Sequence, residues 1–226
     1  MENAVGVHKP LEGAKIGVLI ENKFIAEEIA AYQTGFAMLG AEVEFVSRIW
    51  FGEHQPKSAT FYSDVDPLDS QPWESPQSIE VSRDISTVTP EDYAAVIMSA
   101  NYTSVRLRYS TEPETLAPHL LVKSAPAVMW FAEAMKNPRV IKGALCHGLW
   151  ILTPNPELLK GRKVVCNLVV LADILNCRAQ AVLNPKVVVD EDLVTGYSKH
   201  EVLPFIQAIA QQILSLPPLQ VAPPPV

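Results

Sequence analysis

The stretch VIKGALCHGLWIL, residues 140–152, decides the fold of this chain. An apolar run leads into Cys146, Gly148 follows two residues later, and a second apolar stretch comes after it. This order predicts a nucleophile elbow, in which a strand delivers a side chain onto a sharp turn that small residues make possible. The elbow would place the Cys146 sulfur at the N-terminus of the next helix, where backbone N–H groups and the helix dipole favour a thiolate. The alternative is a free cysteine buried at the end of a core strand.

Composition limits the class of protein. The chain has 226 residues and is 48% hydrophobic, which fits one well-filled α/β domain. Its net charge of −7 argues against nucleic acid as a partner. The three cysteines (Cys146, Cys166 and Cys177) are an odd number without metal-like spacing. They favour a reducing compartment, so we expect a cytoplasmic protein without a metal or other cofactor. The N-terminus lacks signal-peptide features, and no run reaches the roughly 18 apolar residues that span a bilayer, so we expect no membrane association.

Strand and helix patterns alternate along the chain. A buried strand at 15–20, a helix at 26–39 closed by Gly40, and a strand at 42–47 predict a right-handed βαβ unit. The same patterns predict an α/β fold with a mostly parallel central sheet. The remaining predicted strands are 93–98, 140–145, 163–166 and 186–190, followed by a turn and return strand at 190–196. The remaining predicted helices are 168–176, 201–214 and a mostly helical stretch at 116–135, in which Pro118 and Pro126 mark helix starts or kinks.

Residues 50–78 interrupt this alternation with many Pro, Ser, Asp and Gln residues. We interpret them as a long surface insertion in a single domain spanning residues 1–216. Several aromatic residues within it argue against disorder and favour a partly ordered lid or interface arm. A strand or hairpin arm is predicted at 78–84, and the Pro-rich tail 217–226 is expected to be extended and mobile.

Five stretches in the right order resemble the DJ-1/PfpI family of the class I glutamine amidotransferase-like superfamily. The resemblance covers residues 13–214 and implies a flavodoxin-like three-layer sandwich that forms a homodimer or larger assembly. The stretches are GAKIGVLI at 13–20, PEDYAAVI at 90–97, ALCHG at 144–148, LKGRKV at 159–164 and VVVDEDLVT at 187–195.

The resemblance also implies functional positions, and the first of them differs here. A family glutamate that hydrogen-bonds the cysteine aligns with Ile25, while Glu28 resembles a second, less critical glutamate. An aliphatic neighbour would desolvate the thiolate and raise the pKa of the thiol. Glu21 or Glu27 could supply the carboxylate instead from a shifted loop.

Two further family positions differ. Residues 99–101 (Ser-Ala-Asn) replace the Gly-Gly that supplies an oxyanion-hole N–H. The amide of Ala100 or Asn101 can still face an oxyanion, since Asn tolerates left-handed backbone. Val105 stands where PfpI-type proteases carry an acidic residue that completes a triad across subunits. The PfpI-type triad is therefore absent as written.

The other candidate site residues surround Cys146. The resemblance assigns the backbone N–H of His147 to the oxyanion; its ring is either a proton carrier or a solvated loop histidine. Cys166 and Asn167 end the next strand, where the crevice of a parallel sheet forms, and either line the pocket or pack in the core. Three residues near the oxyanion loop are candidates for binding an anionic substrate or a dimer mate, with ordinary surface charge as the alternative: Arg106, Arg108 and Tyr109.

These residues support two functional hypotheses. The first is a cysteine-dependent enzyme acting on a small carbonyl or amide substrate as a hydrolase, hydratase or glyoxalase-like lyase. The glyoxalase form is disfavoured by the missing glutamate, because it needs a carboxylate base. The second is a catalytically degenerate relative that senses redox state or binds a partner through the same crevice. An exposed thiol of low pKa would separate an enzyme or sensor from an inert relative. The expected partners are a small-molecule substrate and a second copy of the chain.

Overall fold

The computed structural model describes residues 9–49, 57–65, 75–109 and 116–217. The strands, in chain order, are β1 (Lys15–Leu19), β2 (Glu42–Ser47), β3 (Ala59–Tyr62), β4 (Ser78–Val81), β5 (Arg83–Asp84), β6 (Ala95–Met98), β7 (Ile141–Leu145), β8 (Lys163–Val164), β9 (Gln180–Ala181), β10 (Val187–Asp190) and β11 (Leu193–Gly196). The α-helices are α1 (Ala26–Leu39), α2 (Thr103–Leu107), α3 (Pro118–Leu121), α4 (Pro126–Lys136), α5 (Leu168–Asn176) and α6 (Val202–Ser215).

A seven-stranded sheet forms the centre of the fold, in the order β10–β11–β7–β6–β1–β2–β5. Six of its strands are parallel, and β10 joins the edge antiparallel to β11. The hairpin β3–β4 and the short pair β8–β9 lie outside this sheet. The predicted α/β fold with a mostly parallel sheet is confirmed, and β1, α1 and β2 form the predicted βαβ unit.

Both faces of the sheet are buried, because each is covered by a helical layer. On one face Phe131 of α4 and Ile174 of α5 pack in a cluster with Val96. On the other face, residues of α1 and α6 such as Phe36 and Phe205 pack in a second cluster. The strands are therefore near-continuous apolar runs, as expected for a parallel sheet between two helical layers.

Some predicted boundaries are confirmed and others were wrong. The helical stretch predicted at 116–135 is two helices, α3 and α4, and the two prolines predicted to mark starts or kinks, Pro118 and Pro126, are the first residues of these helices. Proline suits a helix start but breaks a helix interior, since it lacks an N–H group. The predicted strand 163–166 is only the two residues of β8. Of the predicted 50–78 insertion, 57–65 and 75–78 are described and contain β3, whereas 50–56 and 66–74 lie outside the described residues. The tail beyond residue 217 also lies outside them.

The carboxyl ends of the central strands converge at one edge of the sheet. Leu19 of β1 pairs with Met98 of β6, which pairs with Ala144 of β7. The loops that leave these three strands therefore begin side by side, where ligands bind in open parallel sheets. Among the described residues, no helix is long and apolar enough to cross a membrane.

Candidate functional site at Cys146

Cys146 sits on the sharp turn that follows β7. Its φ is 58°, in the left-handed region that costs a non-glycine residue free energy. Its N–H donates to the Gly196 carbonyl at 2.8 Å, and its carbonyl accepts from the Asn167 N–H at 3.3 Å. These bonds to neighbouring segments hold the strained backbone in place. The predicted elbow geometry is confirmed, and strain of this kind concentrates at functional sites.

The chain after the elbow turns back tightly against β6. At Gly148 an added Cβ would lie 2.8 Å from the Met98 carbonyl oxygen, so only glycine fits without a shift. Residues Gly148–Ile151 form one short 3₁₀ turn, not the predicted helix. The expected stabilisation of a thiolate by a following helix dipole was therefore wrong, because that effect needs a run of aligned peptide groups.

The thiol of Cys146 is protonated at neutral pH. Only 8% of the residue is exposed. Burial and, to a smaller extent, the nearby charge of Glu28 raise the pKa of the thiol to about 12, although the backbone amides of His147 and Asn101 act to lower it. The raised pKa agrees with the sequence-based expectation, although a carboxylate contributes to it as well as burial.

Glu28 is the carboxylate of the site. It is fully buried on α1, and the Ala100 N–H donates to both of its carboxylate oxygens at 3.0 Å. Burial raises the pKa of Glu28 to about 7, while Tyr32 and the Ala100 amide act to lower it. The Tyr32 hydroxyl makes no well-formed hydrogen bond with a described residue. Glu28 therefore changes charge near neutral pH, in the range useful to a general base.

The other candidate carboxylates have different roles. Glu27 is exposed to solvent, so it was wrong as a partner for Cys146. Glu21 is buried, but its Oε1 accepts from the Asn22 backbone N–H at 2.8 Å and lies 3.5 Å from the Arg106 Nε. Ile25 is the N-cap of α1 and packs at the edge of the core. The carboxylate near Cys146 is therefore that of Glu28, which lies one helical turn after Ile25.

The loop 99–101 supplies one amide to the sulfur and one to the carboxylate. The Ala100 N–H is taken by Glu28, so the expectation that it faces an oxyanion was wrong. The next amide, of Asn101, is close enough to the Cys146 sulfur to lower its pKa. Asn101 has a φ of 65°, a conformation that Asn adopts more readily than most residues. Of the two amides, that of Asn101 is therefore the candidate for an oxyanion beside Cys146.

The β3–β4 hairpin holds this loop from outside. The Asn101 side-chain amide donates to the Lys23 carbonyl at 2.9 Å and to Asp64 Oδ2 at 3.0 Å. Lys23 Nζ lies 2.9 Å from the other oxygen of Asp64, and the Lys23 N–H donates to the Tyr62 carbonyl at 2.7 Å. Burial opposes ionisation of Asp64, but the bonds from Asn101 and Lys23 leave its pKa lowered. We call Lys23, Asp64 and Asn101 the clamp.

His147 lines the site with an aromatic neighbour on each side. Its ring centre lies 5.6 Å from that of Tyr102 and 5.1 Å from that of Trp150. Burial lowers the pKa of His147, while hydrogen bonding with the Asn167 side chain and the Asn101 backbone opposes this, so the ring is neutral at pH 7. Its Nδ1 is buried without a hydrogen-bond partner among the described residues. His147 is therefore a buried residue, not a solvated loop histidine.

The remaining candidates lie around this centre. Asn167 caps α5, its Oδ1 accepting from the Val169 N–H at 3.0 Å. Cys166 is buried, which raises its pKa to about 11, and its nearness makes the smallest contribution to the raised pKa of Cys146. Cys177 is buried at the end of α5. Within the described residues, no three His, Cys, Asp or Glu side chains gather closely enough to hold a metal ion.

Sequence reasoning missed the clamp and undervalued Glu28. Asp64 lies within the predicted insertion 50–78, which carries no strong motif, so nothing local connects it to Asn101. Glu28 did carry a signal, since it lies four residues before Tyr32 on the face of α1 that buries Ile29 and Phe36. An acidic residue on a buried helix face needs a partner, and the partner indicates its role.

Comparisons with known proteins agree with this fold. A model of the DJ-1/PfpI family matches residues 115–212, which include the elbow and Asn167. An uncharacterized protein of Staphylococcus aureus is 28% identical over 139 residues, 61% of this chain and 71% of that protein. A ThiJ/PfpI domain protein from Brachyspira murdochii has a TM-score of 0.66 at 16% identity, covering 90% of this chain and 97% of that one.

A two-domain protein from Anabaena variabilis, with DJ-1/ThiJ/PfpI-like and ferritin-like domains, has a TM-score of 0.67 at 18% identity. The match covers 88% of this chain and 48% of that one, so this chain spans about half the length of that protein. At these identities the likeness to solved structures shows the shared fold, and the match of residues 115–212 to the family model agrees with it.

Proposed function

We propose that this member of the DJ-1/PfpI family is a cysteine-dependent enzyme in which Cys146 adds to a small carbonyl compound and Glu28 accepts the thiol proton. The reaction class is that of a hydrolase, hydratase or glyoxalase-like lyase. Its first step, nucleophilic addition by the sulfur, is common to all three.

The pairing of Glu28 with Cys146 carries this proposal. Glu28 accepts from the Ala100 N–H at 3.0 Å, and the next amide of the same loop, that of Asn101, acts on the Cys146 sulfur to lower its pKa. Consecutive Cα atoms are about 3.8 Å apart, so this arrangement keeps the carboxylate and the sulfur in the same small volume. The effect of the Glu28 charge on the pKa of Cys146 supports the same closeness.

The addition step needs no other reactant. As the sulfur forms a bond to the carbonyl carbon, its proton moves to the Glu28 carboxylate and the carbonyl π electrons move to oxygen. The N–H groups of Asn101 and His147, which bond the sulfur in the free protein, lie beside the developing oxyanion. Return of the proton from Glu28 to that oxygen completes a neutral hemithioacetal when the substrate is an aldehyde.

The difference between the two pKa values explains why the pair can work without a resting thiolate. A base of pKa about 7 is ionised in half the molecules at neutral pH, whereas a thiol of pKa about 12 keeps its proton until the sulfur attacks. Proton transfer during attack avoids forming a full thiolate in an apolar site. A carboxylate base is thus present after all, which removes the objection raised above to glyoxalase-like chemistry.

The test is turnover of a small 2-oxoaldehyde, with methylglyoxal as the probe. Loss of the aldehyde is followed with wild type, Cys146→Ala and Glu28→Gln, and Glu27→Gln serves as a control from the exposed side of the same helix. The proposal predicts activity in wild type and Glu27→Gln, none in Cys146→Ala, and at least a hundredfold loss in Glu28→Gln. Activity that survives in Cys146→Ala would refute it.

One observation favours the second hypothesis, a catalytically degenerate binding relative. The thiol pKa of about 12 and the 8% exposure of Cys146 are typical of an inert buried cysteine. They argue against a redox sensor, which needs an accessible thiol of low pKa. No turnover of methylglyoxal, together with no alkylation of Cys146 in the native protein, would establish the degenerate relative.

A further inference from the structure

A cavity separate from the elbow crevice opens beside α2. Its volume is about 540 Å³, within the range of small-molecule sites. It lies between the C-terminal end of α2, the residue after α3 and the chain that follows the 3₁₀ turn of the elbow. It is lined by Val105, Arg108, Tyr109, Val122, Thr153 and Pro154.

Arg108 is the charged group of this cavity. Its side chain is half-buried, and its Nη1 donates to Thr153 Oγ1 at 2.8 Å and to the Trp150 carbonyl at 3.4 Å. No carboxylate of the described residues lies within 4.0 Å of its guanidinium, whereas Arg162 on the far side of the fold pairs with both Asp190 and Asp192. A guanidinium has five N–H donors, so Arg108 keeps donors for a further acceptor.

A half-buried cation without a carboxylate partner is costly, and an anion in the cavity would offset that cost. Burial lowers the pKa of Arg108, which reflects the same cost; the charge of Asp173, which lies beyond ion-pair distance, opposes this shift without reversing it. Planar guanidinium groups bind carboxylates and phosphates through two parallel hydrogen bonds. The opposite walls are apolar at Val105, Val122 and Pro154, and therefore suit a hydrocarbon group attached to the anion.

We propose that this cavity, the Arg108 pocket, binds a small organic anion, with the carboxylate or phosphate on Arg108 and an apolar group against Val105, Val122 and Pro154. This goes beyond the proposed function and does not depend on chemistry at Cys146. The pocket is nevertheless connected to the elbow, since Trp150 lies 6.0 Å from the Arg108 guanidinium on one side and contacts the His147 ring on the other.

The test is titration calorimetry of the full chain with benzoate and with phenyl phosphate. Benzyl alcohol, an uncharged analogue of similar size, is the matched control ligand. The proposal predicts saturable binding of at least one of the two anions, at least tenfold weaker binding of benzyl alcohol, and unchanged binding in Cys146→Ala. Which anion binds more tightly identifies the head group as carboxylate or phosphate.

Three variants locate the binding. Arg108→Gln should weaken it at least tenfold, about 1.4 kcal/mol. Arg178→Gln removes an arginine from an exposed position after α5 and should leave binding unchanged. Val122→Glu places a negative charge on the apolar wall of the pocket, at a half-exposed position, and should also weaken binding at least tenfold. This second variant keeps the test decisive if Arg108→Gln folds poorly. Absence of binding for both anions, or full binding in Arg108→Gln and Val122→Glu, would overturn the proposal. Loss of methylglyoxal turnover without loss of anion binding would refute the proposed function alone.

Discussion

Replacing Glu28 with Gln should change how the stability of the protein depends on pH. Glu28 has a pKa of about 7 in the folded chain against an ordinary value of 4.5, because burial disfavours its charged form. The folded state therefore binds this proton more tightly than the unfolded state does. The stability that Glu28 contributes is fully present below pH 4.5 and is lost as the pH rises through about 7.

The size of the effect follows from the two pKa values. They differ by 7 − 4.5, about 2.5 pH units, and each unit corresponds to about 1.4 kcal/mol. Glu28 alone should therefore lower the free energy of unfolding by about 3 kcal/mol between pH 4.5 and pH 8. A glutamine side chain at this position cannot ionise and keeps an oxygen to accept the Ala100 N–H, so the variant should lack this slope.

Urea unfolding under reducing conditions at pH 5, 6, 7 and 8 measures the slope. The free energy of unfolding of Glu28→Gln minus that of wild type should rise by about 2–3 kcal/mol over this range, by the same linkage. Glu27→Gln, on the exposed side of α1, should follow the wild-type curve. Parallel curves for wild type and Glu28→Gln would refute the claim that burial places the pKa of Glu28 near neutrality.

Two further substitutions test the elbow and the clamp. Gly148→Ala should lower the free energy of unfolding by about 1–3 kcal/mol in urea, because its Cβ would lie 2.8 Å from the Met98 carbonyl oxygen; a loss below about 0.5 kcal/mol would show that the turn can shift. Asp64→Asn should reduce the rate of methylglyoxal turnover about tenfold, because it releases the Asn101 side chain. It should lower the free energy of unfolding by less than about 1 kcal/mol, since solvent-accessible ion pairs contribute little to stability. Glu80→Gln, on the same hairpin, is the matched control, and equal rates in both variants would contradict a role for the clamp.

Much of the fold was predictable because its signals are local. The strand β6 is a continuous apolar run, and β1 and β7 are apolar apart from one lysine and one glycine each, a pattern that indicates burial on both faces. Gly40 ends α1 in the left-handed conformation expected of a C-cap, with a φ of 94°. The two prolines that start α3 and α4 were also readable from the sequence. An error fell where a short apolar stretch fits either a helix or a 3₁₀ turn, as after Cys146.

The site was less predictable because its contacts join distant parts of the chain. Cys146 and Asn101 were identified from local sequence patterns that are typical of tight, strained turns. The partnership of Glu28 with Ala100 spans 72 residues, and that of Asp64 with Asn101 spans 37. The family resemblance placed the carboxylate at the position of Ile25. In the structure the buried carboxylate is that of Glu28, one helical turn later. No local pattern shows which of three nearby glutamates faces a cysteine more than a hundred residues away.

The pH dependence of Cys146 alkylation by iodoacetamide, in a Cys166→Ala/Cys177→Ala variant, tests the pairing of Cys146 with Glu28 most directly. The rate should increase as Glu28 ionises near pH 7, and this step should disappear when Glu28→Gln is added. A rate that follows one ordinary thiol ionisation near pH 8.5, unchanged by Glu28→Gln, would contradict the account.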